Sequence, residues 1–119
     1  MVDKVRESKN DACIAVDPGV CGFTCVIRAG QVDKRSVDIE IAESECQQIN
    51  KLAGRLETIS LRDLFMPLTQ NPVYKAAQAC GCHASCTIPA GVLKAAEVAM
   101  GMAVARPVRF SFDREKEDA

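Results

Sequence analysis

Apolar and polar positions follow two different periods along the chain, first that of strands and then that of helices. Residues 13–16 form a short apolar run that the turn sequence at 17–19 ends, which predicts a first strand. Residues 23–28 predict a second strand. Residues 37–41 alternate apolar with acidic side chains, which is typical of a strand with one face in water. We expect the second and third strands to form a hairpin through a loop around Gly30.

The helical period begins after these strands. Residues 44–47 have the Ser-x-x-Gln form of a capping box, and apolar residues then recur at helical spacing as far as Leu56. This pattern predicts a first helix of about three turns. A shorter helix is predicted to open at residues 60–63 and to end near Pro67.

Two further helices are predicted in the second half of the chain. Asn71 followed by Pro72 supplies an N-cap and a first-turn proline for a third helix, which Gly81 would stop. Residues 87–89 open the last helix, and its residues 92–102 are apolar nearly all round. A helix of this kind is expected to be central in the fold.

Residues 108–112 alternate again and predict a closing strand that returns to the sheet. The fold class that follows is α+β, a small, mainly antiparallel sheet of about four strands with helices packed on one face. We find neither an internal repeat nor a linker, so residues 1–119 are predicted to be one domain. Residues 1–10 and 113–119 are charged and are expected to be frayed ends.

Composition and charge exclude several classes of function. The chain has 15 Lys and Arg against 16 Asp and Glu, with one Tyr, four Phe and no Trp. It therefore has neither the basic surface nor the stacking platforms expected of a nucleic-acid-binding protein. No apolar run approaches the roughly 18 to 20 residues of a membrane helix, and residues 1–10 lack the apolar stretch of a signal peptide. These features predict a cytoplasmic protein.

The seven cysteines are the unusual feature of the composition. A number that is high and odd favours reduced thiols or metal ligands over a disulfide framework in a chain without an export signal. Residues 80–86 contain three of them and the only His of the chain. Thiolate and imidazole are ligands of Zn and of iron–sulfur centres. The spacing matches neither a zinc knuckle nor a haem attachment site.

Cys21 and Cys25 form a second group. If the second strand is extended, about 13 Å separates the two residues, which is too far for both to bind one ion. We choose Cys21 as the ligand because it lies in a glycine-flanked loop where backbone can approach a metal. Cys25 and Cys13 lie inside predicted strands and are interpreted as small buried hydrophobes.

Cys46 and Cys86 lie at or near the predicted starts of two helices. The positive end of a helix dipole stabilises thiolate over thiol, which favours metal ligation and nucleophilic reactivity equally. Cys46 also falls on the apolar stripe of its helix, so core packing is an alternative role. His83 could act as a base toward Cys86 or Cys82 without any metal.

Residues 17–23 and 83–99 resemble a group of small uncharacterised proteins, with domains of unknown function, from anaerobic bacteria and methanogenic archaea. The resemblance extends over most of residues 13–112 and rests on the motifs Cys-Gly-Phe and His-x-x-Cys-x-x-Pro. It implies that the recurrent chemical residues are Cys21, Cys46, His83 and Cys86. It leaves Cys82, Cys25 and Cys13 outside the pattern. It also suggests an anaerobic cytoplasm, where thiolate and iron–sulfur sites escape oxidation.

We therefore predict a small cytoplasmic metal-binding protein with a Zn or iron–sulfur site. Its predicted ligands are Cys21, Cys46, His83 and Cys86, with Cys80 in reserve. One alternative is a thiol-reactive or redox protein that uses Cys86 or Cys46. Another is an interaction or structural subunit, a homo-oligomer or a protein with a partner, because a small domain cannot easily cover a helix that is apolar all round.

Overall fold

A computed structural model of the chain describes residues 11–19, 22–42 and 44–113. Cys21 and most of the two predicted frayed ends lie outside these residues. The described residues contain one antiparallel sheet of four strands in sequence order. The strands are β1 (Ala12–Val16), β2 (Cys25–Asp33), β3 (Ser36–Ala42) and β4 (Thr58–Ser60).

One end of the sheet is important for the candidate site. Val16, the last residue of β1, pairs with Cys25, the first residue of β2. Ala42, the last residue of β3, pairs with Val26. We call this end the Cys25 end of the sheet. The predicted hairpin of β2 and β3 is confirmed, and its strands are longer than the sequence pattern indicated.

Helices cover one face of the sheet, as predicted. They are α1 (Gln47–Arg55), α2 (Leu61–Leu64), a short 3-10 helix (Leu68–Gln70), α3 (Pro72–Ala79) and α4 (Ile88–Ala99). The side chains beneath them alternate along the strands and form the core, with Ile27, Val37 and Ile59 fully buried. The intervening residues face outward, as expected from the period of a strand. The α+β class is therefore confirmed.

The cap residues explain where two of the helices begin. The Ser60 hydroxyl accepts from the backbone N–H of Asp63, and the Asp63 carboxylate accepts from the N–H of Ser60. At α3, the buried side chain of Asn71 accepts from the N–H of Val73 at 2.9 Å. Each bond satisfies a backbone group that the first turn of a helix leaves without a partner.

The last helix is central, as its apolar composition predicted. Six of its residues are buried, namely Ile88, Pro89, Val92, Ala95, Ala96 and Ala99. A Cβ on Gly91 would lie 3.0 Å from Cδ1 of Ile27 and 3.3 Å from Cγ2 of Val16. The first turn of α4 therefore packs directly on β1 and β2 at the Cys25 end. None of the helices among the described residues is long and apolar enough to cross a membrane.

Three predictions of local structure are wrong. The hairpin turns at Lys34 and Arg35 and not around Gly30, which lies inside β2 and pairs with Asp38. The Ser44 hydroxyl accepts from the N–H of Cys46 at 3.1 Å and caps no helix, because α1 begins at Gln47 with Cys46 as its N-cap. Residues 108–112 form no strand and are exposed. The fourth strand is instead β4, which follows α1 after two residues and reaches β3 through a shorter connection.

Candidate thiol site

The Cys25 end of the sheet brings together cysteines from separate parts of the chain. Cys25 begins β2 and is buried. Cys46 is the N-cap of α1, four residues after β3 ends at this same edge. Cys86 lies two residues before α4, whose first turn packs on Val16 and Ile27. The helix starts and the strand start therefore meet on one side of the molecule.

The segment from Cys80 to Cys86 connects α3 with α4 and lies against the start of α1. Gly81 has a φ of +77°, and the N–H of Cys82 donates to the carbonyl of Ala77 at 3.0 Å. This left-handed glycine turns the chain back over the end of α3. A Cβ on Gly81 would lie 3.8 Å from Cγ of Gln48. The contact fixes the thiol-bearing segment beside the first turn of α1.

Electrostatics identify which thiols are neighbours. Burial, followed by the charges of Cys86 and Cys46, raises the pKa of Cys25 from 9.0 to about 11. Burial, followed by Cys86, Cys80 and Cys46, also raises the pKa of Cys82. Neighbouring thiolates repel, so each one makes a second ionisation harder. The five cysteines that share these interactions form what we call the thiol cluster, Cys25, Cys46, Cys80, Cys82 and Cys86.

Burial and neighbouring charges favour the neutral thiol over the thiolate at Cys25 and Cys82. The Sγ–H of Cys46 donates to Oε1 of Gln48 at 3.2 Å, and the raised pKa values of Cys25 and Cys82 keep those two groups protonated at neutral pH. A neutral thiol is a weak nucleophile. A metal ion, in contrast, can displace the protons and relieve the repulsion between the sulfur atoms.

The residues predicted from the sequence fall into three groups. Cys46 and Cys86 lie in the cluster and pack against the core, and the reserve residue Cys80 is buried at the end of α3. The side chain of His83 is exposed, while its carbonyl accepts from the N–H of Cys86 at 3.0 Å. Cys21 is outside the described residues. Val16 and Cys25, which flank it in the sequence, are paired at the Cys25 end.

Cys25, Cys82 and Cys13 differ most from the sequence analysis. Cys25 is buried as predicted, but it also belongs to the thiol cluster. The sequence analysis excluded Cys25 as a ligand because of its distance from Cys21 and did not consider its distance from the other cysteines. Cys82 belongs to the cluster as well. Cys13 was predicted to be buried and is exposed, because the neighbouring residue Ile14 faces the helices and places Cys13 on the opposite face. The sequence did not mark Cys25 as a site residue, because the strand was predicted to begin at residue 23 and placed Cys25 in its interior, whereas β2 begins at Cys25.

The described thiols are close enough to interact but are not arranged as a finished metal site. Among residues 11–19, 22–42 and 44–113, no group of three or more His, Cys, Asp or Glu side chains could hold a metal ion. Beside Cys86, the buried Oγ1 of Thr87 lacks a hydrogen-bond partner within the same ranges. Binding by the cluster would therefore require a further ligand or a movement of the segment from Cys80 to Cys86.

Comparisons with known proteins identify the family. The profile of the Family of unknown function (DUF6951) matches residues 12–112. No curated protein and no solved structure matches the chain. The profile includes the whole sheet, all the described helices and the extended residues that follow α4. The chain therefore belongs to the Family of unknown function (DUF6951).

Proposed function

We propose that this protein binds a thiophilic metal, Zn²⁺ or the iron of an iron–sulfur cluster, at the Cys25 end of the sheet. The observation that supports the proposal is the thiol cluster, in which cysteines from β2, the start of α1 and the segment before α4 interact. Sulfur ligands select Zn and iron–sulfur centres over harder ions such as Mg²⁺.

Cys46 and Cys86 are the central ligands of the proposed site. Both were predicted from the sequence, and both interact with Cys25 and Cys82. Cys21 remains a ligand predicted from the sequence alone. Because the thiols of the described residues form no ready-made site, the proposed site is completed by Cys21 or by Cys82 after its segment moves.

His83 differs from the central ligands of the proposed site, because its side chain is exposed while Cys46 and Cys86 pack against the core. To bind a metal together with the cysteines, the imidazole of His83 would have to rotate toward the core. His83 lies in the turn in which its carbonyl accepts from the N–H of Cys86. Its proposed role is therefore tested separately from that of the cysteines.

Metal content and metal titration test the proposal directly. Protein purified without oxygen is analysed for Zn and Fe, and the metal-free form is titrated with Co²⁺, whose thiolate complexes absorb in the visible range. We expect Cys46→Ser and Cys86→Ser each to weaken binding by more than about tenfold. We expect Cys21→Ser to weaken binding similarly. His83→Ala tests the imidazole separately, because weaker binding by this variant would mean that His83 is a ligand.

Cys13→Ser is the matched control, because Cys13 is exposed on the sheet face opposite the helices. It should bind metal as the unmodified protein does. If Cys46→Ser and Cys86→Ser also bind metal as tightly as this control, the cluster is not the metal site. Protein that folds stably and takes up neither Zn²⁺ nor iron would contradict the proposal as a whole.

A further inference from the structure

The chain continues beyond α4 as an extended segment that is exposed to solvent. Val108, Phe110 and Phe112 are 61%, 82% and 83% exposed, and they alternate with Arg109 and Ser111. Three large apolar side chains on one side of an extended chain are unusual on a protein surface. We call residues 106–112 the C-terminal segment. Its pattern is that of a strand that has no neighbour.

A groove of about 450 Å³ lies on another part of the molecule, along the edge of β3. We call it the β3 groove, and it is lined by Asp38, Ile39, Glu40, Ile41, Ala53, Leu56, Glu57 and Thr58. The groove lies beside Thr58, the first residue of β4, which pairs with Asp38. The N–H of Ile39 donates to the carbonyl of Glu57, just before β4, at 2.8 Å. β4 itself pairs with Ser36, Val37 and Asp38 of β3 and does not extend along the rest of that strand.

The backbone of β3 is oriented to receive another strand in this groove. The N–H of Ile39 points toward Glu57 and therefore away from β2. In an antiparallel pair, the direction of the backbone groups alternates from one residue to the next. The N–H and C=O of Ile41 accordingly also point away from β2, toward the groove. A strand edge of this kind can bind an extended peptide by β-sheet addition.

The side chains of the two features are complementary. In β3, Ile39 and Ile41 face the helices, where Ala53 and Leu56 form the groove wall, while Glu40 faces the other side. The C-terminal segment has the same period, with three apolar residues on one side and Arg109 on the other. A strand added to β3 would place its apolar side against the groove wall and Arg109 on the side of Glu40.

The net charges agree with this arrangement. Asp38, Glu40 and Glu57 line the groove, and no basic residue is among its lining residues. The C-terminal segment contributes Arg106 and Arg109 and contains no acidic residue. Arg28, at 4.0 Å from Glu40, partly neutralises this acidic surface. Opposite charges therefore favour contact between groove and segment.

We propose that the C-terminal segment of one copy of this chain docks as an added strand in the β3 groove of a second copy. A second copy is the occupant because the segment lies exposed beside its own domain while the groove remains open. Each copy carries one segment and one groove, so reciprocal exchange gives a closed dimer with two identical contacts. The segment belongs to the part of the chain that matches the family, since the match reaches residue 112.

Charge reversal of one residue on each side tests the proposal. Sedimentation velocity over a wide range of concentration should show the full chain as a dimer. Glu40→Arg and Arg109→Glu should each raise the dimer dissociation constant by about tenfold, because each brings like charges together. The double variant, Glu40→Arg with Arg109→Glu, should restore most of the lost affinity, since the charges are again opposite.

Phe110→Asp should abolish the dimer, and Phe65→Asp is its matched control because Phe65 is also exposed, at 69%, but lies outside both groove and segment. A chain that stays monomeric at all concentrations would overturn the proposal. So would a dimer that is unaffected by Phe110→Asp. The protein could instead be a monomer in which the double variant, Glu40→Arg with Arg109→Glu, regains the stability that each single change removes. In that case the segment binds the groove of its own chain, and a second copy is not the occupant.

Discussion

The thiol of Cys46 donates a hydrogen bond to the side-chain oxygen of Gln48 at 3.2 Å. Cys46 is the N-cap of α1, and Gln48 is the residue that contacts the position of a Cβ on Gly81. This glutamine therefore lies between a thiol of the first helix and the turn that holds Cys80 and Cys82.

Gly81→Ala is expected to destabilise the protein by about 1 kcal/mol, because its φ of +77° is unfavourable for a residue with a Cβ. Thermal unfolding of the variant measures the effect. Gly54→Ala is the control, since Gly54 is an exposed residue of α1 with open space around it. That change should stabilise the protein slightly, as alanine is the better helix former. Equal effects of both changes would contradict the role of the turn.

Gly91→Ala is expected to destabilise the protein by about 1 to 3 kcal/mol through overpacking. The added methyl group would lie 3.0 Å from Cδ1 of Ile27 and 3.3 Å from Cγ2 of Val16. Since both contacts are with side chains, trimming one of them should help. The double variant with Ile27→Val should therefore lose less stability than the two single changes added together, as chemical denaturation would show.

Asn71→Ala is expected to cost about 1 to 3 kcal/mol of unfolding free energy. The buried side chain accepts from the N–H of Val73 and donates to the carbonyl of Asp63 at 3.0 Å. Asn71→Asp keeps an acceptor for the helix cap but loses the donor toward Asp63. It should therefore lie between the alanine variant and the unmodified protein, unless the cap contributes nothing to stability.

Stability is expected to fall as pH rises from about 9 to about 11. The pKa of Cys25 is raised from 9.0 to about 11 in the folded protein, so in this interval the folded state holds a proton that the unfolded chain releases. The contribution is fully present below pH 9 and is about 2 kcal/mol, the order of magnitude that a change in pKa from 9.0 to about 11 implies. Denaturation of the metal-free protein at each pH measures it, and Cys25→Ala should flatten this part of the profile.

Alkylation by iodoacetamide should modify Cys13 before Cys25. Cys13 is exposed, while Cys25 is 2% exposed and has a raised pKa. Burial and the raised pKa therefore both slow the reaction of Cys25. Mass spectrometry of peptides after short labelling of the native, metal-free protein gives the order. Rapid, selective labelling of Cys46 or Cys86 would instead support the thiol-reactive alternative.

Local sequence signals determined much of the fold. The alternation at residues 37–41 predicted β3, and the pair Asn71 and Pro72 predicted the start of α3, because these signals act between residues a few positions apart. The apolar character of residues 92–102 likewise predicted the buried helix α4. The concentration of thiols at residues 80–86 was also evident from the sequence.

Tertiary structure decided the rest, because a strand requires a partner that its own sequence does not contain. Residues 108–112 alternate as clearly as residues 37–41, yet of the two segments only residues 37–41 pair with a neighbouring strand. In the same way, the pattern around Cys25 predicted only a strand residue. Its place in the thiol cluster follows from the packing of α1 and α4 at one end of the sheet, which brings together residues far apart in the chain.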